Sequence, residues 1–458
     1  MRQTSTLLHH AGPQPPSMRH AAERPAAAPE PRPAGRWRVG DAVIAWAARL
    51  VGATIRVTGR GQGATLPGLL AERCAPGITR RRAAAAERVI LVSGTNGKTT
   101  TTAMLTAALA VAGRRVASNA AGSNLYRGLT TALLGADPHA QDVVLEVDEA
   151  VLPRAIDELR PGLVVLLNLS RDQLDRHHEV QRLAVAWRGA ASRLPAAATV
   201  VADGGDPRAA WAAQAAPHAI LVRVHGSAVG RDGAGCPACG GLLSQAGSGR
   251  GRCGQCGWSL PAPTVQVRRE GHQIWLYGPG SSGRIRLAIA TAGQTLDAAA
   301  AWAAAIRLGA DPERAAAAIA GLGTVQDRYA EVWWQGIPLR LLLAKNPAGW
   351  DEALTAATDQ GRAAVVAVNG HGPDGRDTSW LWDVEMGRLG QRPLVVATGE
   401  RAEDAALRLE VAGVACTVVR PLRRAIRRAG GRQGERGVDL FADYTSFQQA
   451  RKLIRTRG

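Results

Sequence analysis

From Arg88 onward, short and nearly continuous runs of apolar residues alternate with stretches whose apolar positions follow a helical period. The runs at 143–147, 163–167 and 199–202 are typical of strands buried on both faces of a parallel sheet, and residues 149–158 are predicted to form an intervening helix. The pattern therefore predicts an α/β fold, in which ligands bind beyond the carboxyl ends of the strands.

The same alternation resumes in the C-terminal part of the chain, from about Trp333. Strands are predicted at 339–344, 364–368 and 393–398, and a helix at 402–411. We therefore expect a central domain over residues 39–325 and a smaller, Rossmann-like domain over residues 326–458.

The N-terminal residues 1–38 are rich in proline, alanine and arginine and have almost nothing to bury, so we expect a disordered leader. The fold is predicted to begin near Arg38 with a short amphipathic helix at 41–50. A glycine-rich connection at 59–67 follows, before the first strand of the sheet.

One predicted strand-to-helix turn lies within VILVSGTNGKTTTTAML, residues 89–105, and contains one of only three lysines in the chain. Backbone N–H groups of a glycine loop and of the following helical turn bind anions, a lysine there reaches the outer phosphates, and a threonine hydroxyl binds Mg²⁺. An ordinary glycine turn would explain the glycines but not the Gly-Lys-Thr-Thr sequence. The candidate phosphate-binding residues are Gly94, Thr95, Asn96, Gly97, Lys98, Thr99 and Thr100.

Polar side chains also follow two other predicted strands. Glu146 belongs to a group of carboxylates where an apolar strand ends, a position suited to holding Mg²⁺ or polarising water beside a phosphate. Asn168 opens the polar stretch NLSRDQLDRH directly behind the next buried run. For each segment alone, a solvated turn with capping carboxylates is the alternative. Together with the phosphate loop, they favour a nucleotide site.

Four of the six cysteines form two C-x₂-C pairs, each followed by glycine, within an insert at about residues 231–262. Two such knuckles supply four thiolates, the ligand set of a structural Zn²⁺ site with no open position for catalysis. Disulfides are the alternative, and a reducing cytoplasm disfavours them. The predicted zinc ligands of this zinc ribbon are Cys236, Cys239, Cys253 and Cys256.

The charge balance narrows the classes of partner. Arginine and lysine exceed aspartate and glutamate by 56 − 38 = 18, which suits phosphates, nucleic acid or an anionic membrane surface without choosing among them. The cysteine-rich insert has only Arg250, Arg252 and one aromatic residue, Trp258, so it is a poor platform for nucleic acid. No apolar run approaches the ~20 residues that span a bilayer, and we expect a cytoplasmic protein.

In combination, residues 94–100 (GTNGKTT), Glu146 and residues 168–175 (NLSRDQLD) resemble the central ATPase domain of the Mur ligases. Those enzymes use ATP and Mg²⁺ to convert a carboxylate into an acyl phosphate, which an amine then attacks. The zinc ribbon, the glutamine of RDQLD and the segment DGRDTSWLWD at 374–383 are most similar to the MurT family of lipid II isoglutaminyl synthase subunits. The resemblance covers about residues 40–458.

The resemblance implies further roles. Arg328 would approach the nucleotide at the link between the two domains, and Lys345 would face the nucleotide or substrate across the cleft. Proteins of this family pair with a GatD-type glutaminase that supplies ammonia, and an aspartate of the MurT chain completes a Cys-His-Asp triad in that partner. Asp377 is the first candidate and Asp383 the alternate; turn and cap roles are the alternative for both.

About 55 foldable residues precede Gly94, fewer than a separate nucleotide-sugar domain needs. The resemblance then implies lipid II as substrate at the inner face of the plasma membrane, with the α-carboxylate of its D-glutamate amidated to D-isoglutamine. Two other classes stay open: a Mur-type ligase that joins an amino acid to a carboxylate, and an ATPase stimulated by nucleic acid.

Overall fold

The computed structural model describes residues 39–57, 65–119, 123–170, 180–226, 234–246, 250–287, 290–322, 329–357, 359, 361–370, 377–431 and 436–455. The predicted leader lies outside these residues, as do Arg328 and the stretch 171–179 that contains RDQLD. Strands and helices alternate through both parts of the chain, as predicted.

The first part of the chain contains a large sheet and a small hairpin. Their strands are β1 (Arg88–Ser93), β2 (Val116–Ser118), β3 (Asp142–Glu146), β4 (Leu163–Leu166), β5 (Thr199–Asp203), β6 (His218–Val224), β7 (Leu243–Ala246), β8 (Arg250–Cys253), β9 (Val265–Glu270), β10 (Gln273–Gly278) and β11 (Ser281–Arg286). Within the described residues the sheet order is β11-β10-β9-β6-β5-β4-β1-β3-β2, while β7 and β8 pair with each other. The strand pairs from β2 across the sheet to the β6-β9 pair are parallel, whereas the β9-β10 and β10-β11 pairs are antiparallel.

Helices cover both faces of this sheet because its parallel strands are buried on both sides. They are α1 (Val39–Val57), α2 (Leu66–Cys74), α3 (Ile78–Ala83), α4 (Lys98–Ala110), α5 (Tyr126–Gly135), α6 (Leu152–Leu159), α7 (Val180–Ala191), α8 (Pro207–Ala213), α9 (Ala292–Arg307) and α10 (Pro312–Gly321). One core packs α4, α9 and α10 around the buried Trp302. The core on the opposite face packs α5 to α8 around the buried Trp187.

The second part contains a six-stranded sheet. Its strands are β12 (Tyr329–Trp334), β13 (Ile337–Leu343), β14 (Ala363–Ala367), β15 (Val395–Thr398), β16 (Thr417–Val418) and β17 (Val438–Ala442). The order among described residues is β12-β13-β17-β14-β15-β16, parallel except for the β12-β13 pair. The helices are α11 (Pro347–Ala356), α12 (Ala402–Val411), α13 (Leu422–Gly430) and α14 (Tyr444–Arg455), with 3₁₀ turns at Ser379–Asp383 and Met386–Leu389.

The element boundaries differ from the predictions mainly where proline begins a helix. The helix expected at 149–158 begins only at Leu152, with a proline in its first turn, so the carboxylates of the preceding turn stay free of helical structure. α2 likewise begins at Leu66 inside the predicted glycine-rich connection. α1 is longer than expected, whereas α12 has the predicted bounds.

Among the described residues, no helix combines the length and the apolar character that crossing a bilayer requires.

Candidate active site

The turn between β1 and α4 lies at the centre of the large sheet, because β1 is flanked by β3 and β4. Gly94 has φ +150° and Gly97 has φ +88°, backbone angles that residues with a side chain rarely adopt. A Cβ on Gly94 would lie 2.7 Å from Cβ of Leu167, and one on Gly97 would lie 2.0 Å from Oδ1 of Asp297. Both positions therefore require glycine, and the loop lies directly against α9.

Asn168 holds the loop from the neighbouring strand. Its Oδ1 accepts a hydrogen bond from the N–H of Asn96 at 2.9 Å, and its Nδ2 donates to the Asn96 carbonyl at 3.1 Å. The N–H of Thr95 donates to the Asn168 carbonyl at 2.8 Å, and the Thr95 hydroxyl accepts from the N–H of Ser170. Asn168 thus fixes the loop backbone.

The predicted magnesium residues meet at the carboxyl ends of β1 and β3. The Thr99 hydroxyl donates to Oε2 of Glu146 at 2.8 Å. Asn119 exchanges two hydrogen bonds with the backbone of Glu146, and Nδ2 of Asn124 lies 3.4 Å from its Oε1. A hydroxyl and a carboxylate at this separation fit the oxygen ligation that Mg²⁺ prefers.

The Lys98 ammonium is buried in the same place. It donates to the carbonyls of Gly94 and Thr95 and forms an ion pair with Oε2 of Glu149 at 3.3 Å. The indole N–H of Trp187 donates to the backbone carbonyl of Glu149 at 2.9 Å, which ties this residue to the core under α7.

The second sheet contacts the loop through a pair of amides. Nδ2 of Asn96 lies 3.5 Å from Oδ1 of Asn346, and Nδ2 of Asn346 lies 3.3 Å from Oδ1 of Asn96. Asn346 also caps α11, because its Oδ1 accepts from the N–H of Gly349. The predicted residue Lys345 directly precedes Asn346 in the chain and is half-buried.

Asp377 and Asp383 lie at the 3₁₀ turn Ser379–Asp383 that follows β14 in the chain. Oδ1 of Asp377 accepts a hydrogen bond from the N–H of Ser379 at 2.8 Å, a contact between residues two positions apart that is typical of a turn. Both carboxylates are half-buried.

Two residues of the site were not predicted from the sequence. Glu149 belongs to the same group of carboxylates as Glu146, but only the fold reveals its partner, because Lys98 is 51 residues away. Asn346 directly follows Lys345, and an asparagine directly before proline is a helix-cap signal that would have selected it.

Behind Asn168, Asp206 caps α8 and accepts a hydrogen bond from the N–H of Leu169 at 2.9 Å. Burial, together with the charge of the neighbouring Asp206, raises the pKa of Asp203 to about 7. Asp203 is the last residue of β5, and its Oδ1 accepts a hydrogen bond from the N–H of Gly205 at 2.7 Å in the turn that follows. The turn after β5 therefore holds the segment that follows Asn168 in place through Asp206. It also leaves the carboxyl group of Asp203 poorly solvated.

The four predicted cysteines converge around the β7-β8 hairpin. Their sulfur atoms all lie within 4.8 Å of one another, an arrangement that could hold a metal ion. The Sγ atoms of Cys236 and Cys256 are 3.6 Å apart, and those of Cys239 and Cys253 are 3.5 Å apart. Gly240 and Gly257, with φ of +80° and +77°, let each knuckle turn tightly after its second cysteine.

The fold and the loop geometry define a Mur ligase-like α/β protein. Residues 92–229 match the model of the Mur ligase middle domain, and residues 343–447 match that of the MurT ligase C-terminal domain. The first segment is thus similar to the Mur ligases in general, and the second to the MurT ligases in particular.

Sequence relatives cover most of the chain. It is 26% identical over 387 residues to the MurT subunit of lipid II isoglutaminyl synthase (glutamine-hydrolyzing) from Staphylococcus aureus strain COL, covering 81% of this chain and 88% of that protein. It is 28% identical over 426 residues to the MurT subunit from Streptococcus pneumoniae, covering 87% and 93%. In structure it resembles the MurF ligase of Thermotoga maritima in complex with ADP, with a TM-score of 0.64, 15% identity and 84% of each chain covered; at that identity the likeness shows the fold alone.

Proposed function

We propose that the chain is the ATP-dependent synthetase subunit of a lipid II isoglutaminyl synthase. It amidates the α-carboxylate of D-glutamate in the stem peptide of lipid II and leaves D-isoglutamine. The observation that carries the proposal is the convergence of the Lys98 ammonium, the Thr99 hydroxyl and the Glu146 carboxylate at one edge of the sheet. The MurT relatives supply the substrate class.

In this proposal residues 94–100 form the phosphate-binding loop. Its backbone N–H groups and the start of α4 hold the phosphates of ATP, and Lys98 neutralises the β- and γ-phosphates. Thr99 and Glu146 would hold a Mg²⁺ ion, which neutralises charge on the transferring phosphoryl group when bound. The D-glutamate carboxylate takes the γ-phosphoryl group, because a free carboxylate is a poor electrophile toward an amine at neutral pH.

The second sheet, which we take as the Rossmann-like C-terminal domain, closes the site. Asn346 contacts the loop directly, and Lys345 beside it is placed to neutralise the nucleotide or the phosphorylated carboxylate. We assign Arg328 a nucleotide contact at the link between the domains by resemblance alone.

Ammonia then attacks the acyl phosphate, the C–N bond forms, and inorganic phosphate leaves. Of the two cysteines outside the four-cysteine cluster, Cys416 is poorly suited to releasing ammonia from glutamine, because it is half-buried and burial raises the pKa of its thiol. Neither Cys416 nor Cys74 lies on a glycine-flanked turn of the kind that exposes a nucleophile. A separate GatD-type glutaminase would supply the ammonia. Asp377, or failing it Asp383, would orient the histidine of that partner.

The four clustered cysteines would hold a structural Zn²⁺ ion, since four thiolates fill a tetrahedral site. With lipid II as its substrate, the enzyme would act at the inner face of the plasma membrane. The surplus of arginine suits the pyrophosphate of lipid II and anionic headgroups.

Mass spectrometry of lipid II after incubation with the chain, ATP and an ammonium salt tests the proposal. The expected product carries one carboxamide in place of a carboxylate on the second stem residue, and glutamine replaces the ammonium salt only when a GatD-type partner is added. An added amino acid would instead identify a Mur-type amino-acid ligase. Unmodified lipid II, or product formation that Lys98→Ala leaves intact, would overturn the proposal.

A further inference from the structure

The three N–H donors of the Lys98 ammonium are all engaged by the protein. An ammonium group has three such donors. They are matched by the carbonyl oxygens of Gly94 and Thr95 and by Oε2 of Glu149, the last two at 3.3 Å. A phosphate oxygen can therefore bind Lys98 only by displacing one of these acceptors.

Glu149 is the only charged member of this set. Lys98 is 9% exposed and Glu149 is 8% exposed, so the pair interacts where little water screens it. A nucleotide that takes the ammonium leaves the Glu149 carboxylate buried, without this partner, and close to negative phosphates. Both consequences oppose nucleotide binding.

The backbone around Glu149 cannot easily withdraw from the loop. Its carbonyl accepts from the indole N–H of Trp187, which is 1% exposed within the core under α7. The N–H of the preceding Asp148 donates to the carbonyl of Asn124 at 3.0 Å. The carboxylate can move away from Lys98 by side-chain rotation, but the residue itself stays beside the loop.

We propose that Glu149 is an internal counter-ion, which competes with the phosphates of the nucleotide for Lys98 and thereby speeds the release of ADP. The inference rests on the proposed function, because it takes residues 94–100 as the phosphate-binding loop. Glu149 is a positioning residue that acts through Lys98, and it weakens nucleotide binding in exchange for faster turnover.

The test is the affinity of the full-length chain for MgADP, measured by titration calorimetry, for wild type, Glu149→Gln and Asp148→Asn. Glutamine keeps the shape and an acceptor oxygen but removes the charge. We expect Glu149→Gln to bind MgADP about tenfold more tightly and to release it more slowly, because the charge that competes for Lys98 is gone. In the amidation reaction both kcat and KM for ATP should fall.

Asp148→Asn is the matched control, because it removes a neighbouring carboxylate whose Oδ1 accepts from the N–H of Ala150. We expect it to leave MgADP affinity unchanged. A structural defect at Glu149 would loosen binding, so the gain in affinity is specific to the proposal. Unchanged or weaker binding by Glu149→Gln would show that the pair only stabilises the loop or that Glu149 assists the nucleotide.

A second variant keeps the test decisive if the glutamine variant does not fold. Glu149→Asp retains the charge but draws it back by one methylene, and its affinity should rise by less than tenfold; no rise overturns the proposal. A wild-type chain that binds nucleotide and amidates lipid II while the variants behave like wild type would refute the counter-ion role alone. A wild-type chain that binds no MgADP would refute the proposed function as well.

Discussion

At the scale of single residues, the proposed phosphate loop depends on a glycine that meets two separate demands. Gly97 has φ +88°, and the site of its missing Cβ lies 2.0 Å from a carboxylate oxygen of Asp297. Gly97→Ala therefore adds a backbone cost of about 1–2 kcal/mol and a clash that pushes the loop away from α9. We expect MgATP affinity to fall at least about tenfold, measured by calorimetry on the folded variant.

Gly113 separates the two effects. It follows α4, has φ +79°, and has open space where a Cβ would be. The backbone cost of Gly113→Ala should equal that of Gly97→Ala. We therefore expect Gly113→Ala to lower the melting temperature and to leave nucleotide binding intact. Equal binding by both variants would mean that the contact with Asp297 is not needed to shape the loop.

Asp203 predicts a pH dependence of stability. Burial and the neighbouring Asp206 raise its pKa to about 7 in the folded chain, against about 3.9 in an unfolded one. Between these values the folded state binds a proton that the unfolded state does not, so this group's contribution to stability declines as pH rises toward 7. Asp203→Asn keeps an acceptor for the N–H of Gly205 and removes the titration.

We therefore expect Asp203→Asn to melt at a higher temperature than wild type at pH 8 and to show a much smaller gain at pH 5, by thermal unfolding followed by circular dichroism. Glu410→Gln, on the exposed surface of α12, serves as a control that removes one carboxylate elsewhere. An equal gain at both pH values would exclude a raised pKa at Asp203.

At the residue scale, the sequence predicts those site residues that belong to a local motif. Lys98, Thr99, Glu146 and Asn168 follow strands in one sheet, and the parallel register brings the ends of β1, β3 and β4 together. The partner of Lys98 was out of reach, because the distance between Glu149 and the loop depends on how β3 pairs with β1. The nearest signal was the surplus of carboxylates after β3.

At the scale of elements, the β7-β8 hairpin is organised by its cysteines. Each of its two strands has only four residues, and these offer little apolar surface. We therefore expect a bound metal to stabilise the hairpin. Purified full-length chain should contain about one zinc ion by plasma mass spectrometry, and Cys239→Ser should lose most of it because three thiolates bind more weakly than four. Cys74→Ser, at an exposed cysteine on α2, should retain the full zinc content. Retention by both variants would exclude the four-cysteine site.

Element types were easier to predict than element ends. The apolar runs of β3, β4 and β5 are short and bounded by polar residues, so each was found to within about one residue. Helix starts were less certain, because proline at the first helical turn permits a start that apolar periodicity does not indicate, as in α2 and α6.

At the scale of the whole molecule, each sheet has a buried aspartate that neutralises arginines away from the nucleotide loop. Asp142, at the start of β3, accepts from Arg88 and Arg114; burial opposes its ionisation, but the two guanidinium groups hold its pKa below the usual range. Asp439, in β17, accepts from three arginines, Arg340, Arg362 and Arg392, at 2.6–3.0 Å. Each sheet thus has its own buried ion-pair cluster, and the second sheet contacts the loop of the first through Asn346 and Asn96.

This arrangement predicts that the two domains respond differently to one substitution. Asp439→Asn leaves three arginines beside a buried, neutral side chain, and we expect it to destabilise the C-terminal domain by about 3–5 kcal/mol. The central domain has its own cores, so it should unfold as in wild type. Urea unfolding of the full chain should show one early transition, and Asp351→Asn, which breaks an exposed pair with Arg388, should change stability by at most about 1 kcal/mol. A single transition shifted as a whole would mean that the contact between Asn96 and Asn346 belongs to a continuous interface that couples the two sheets.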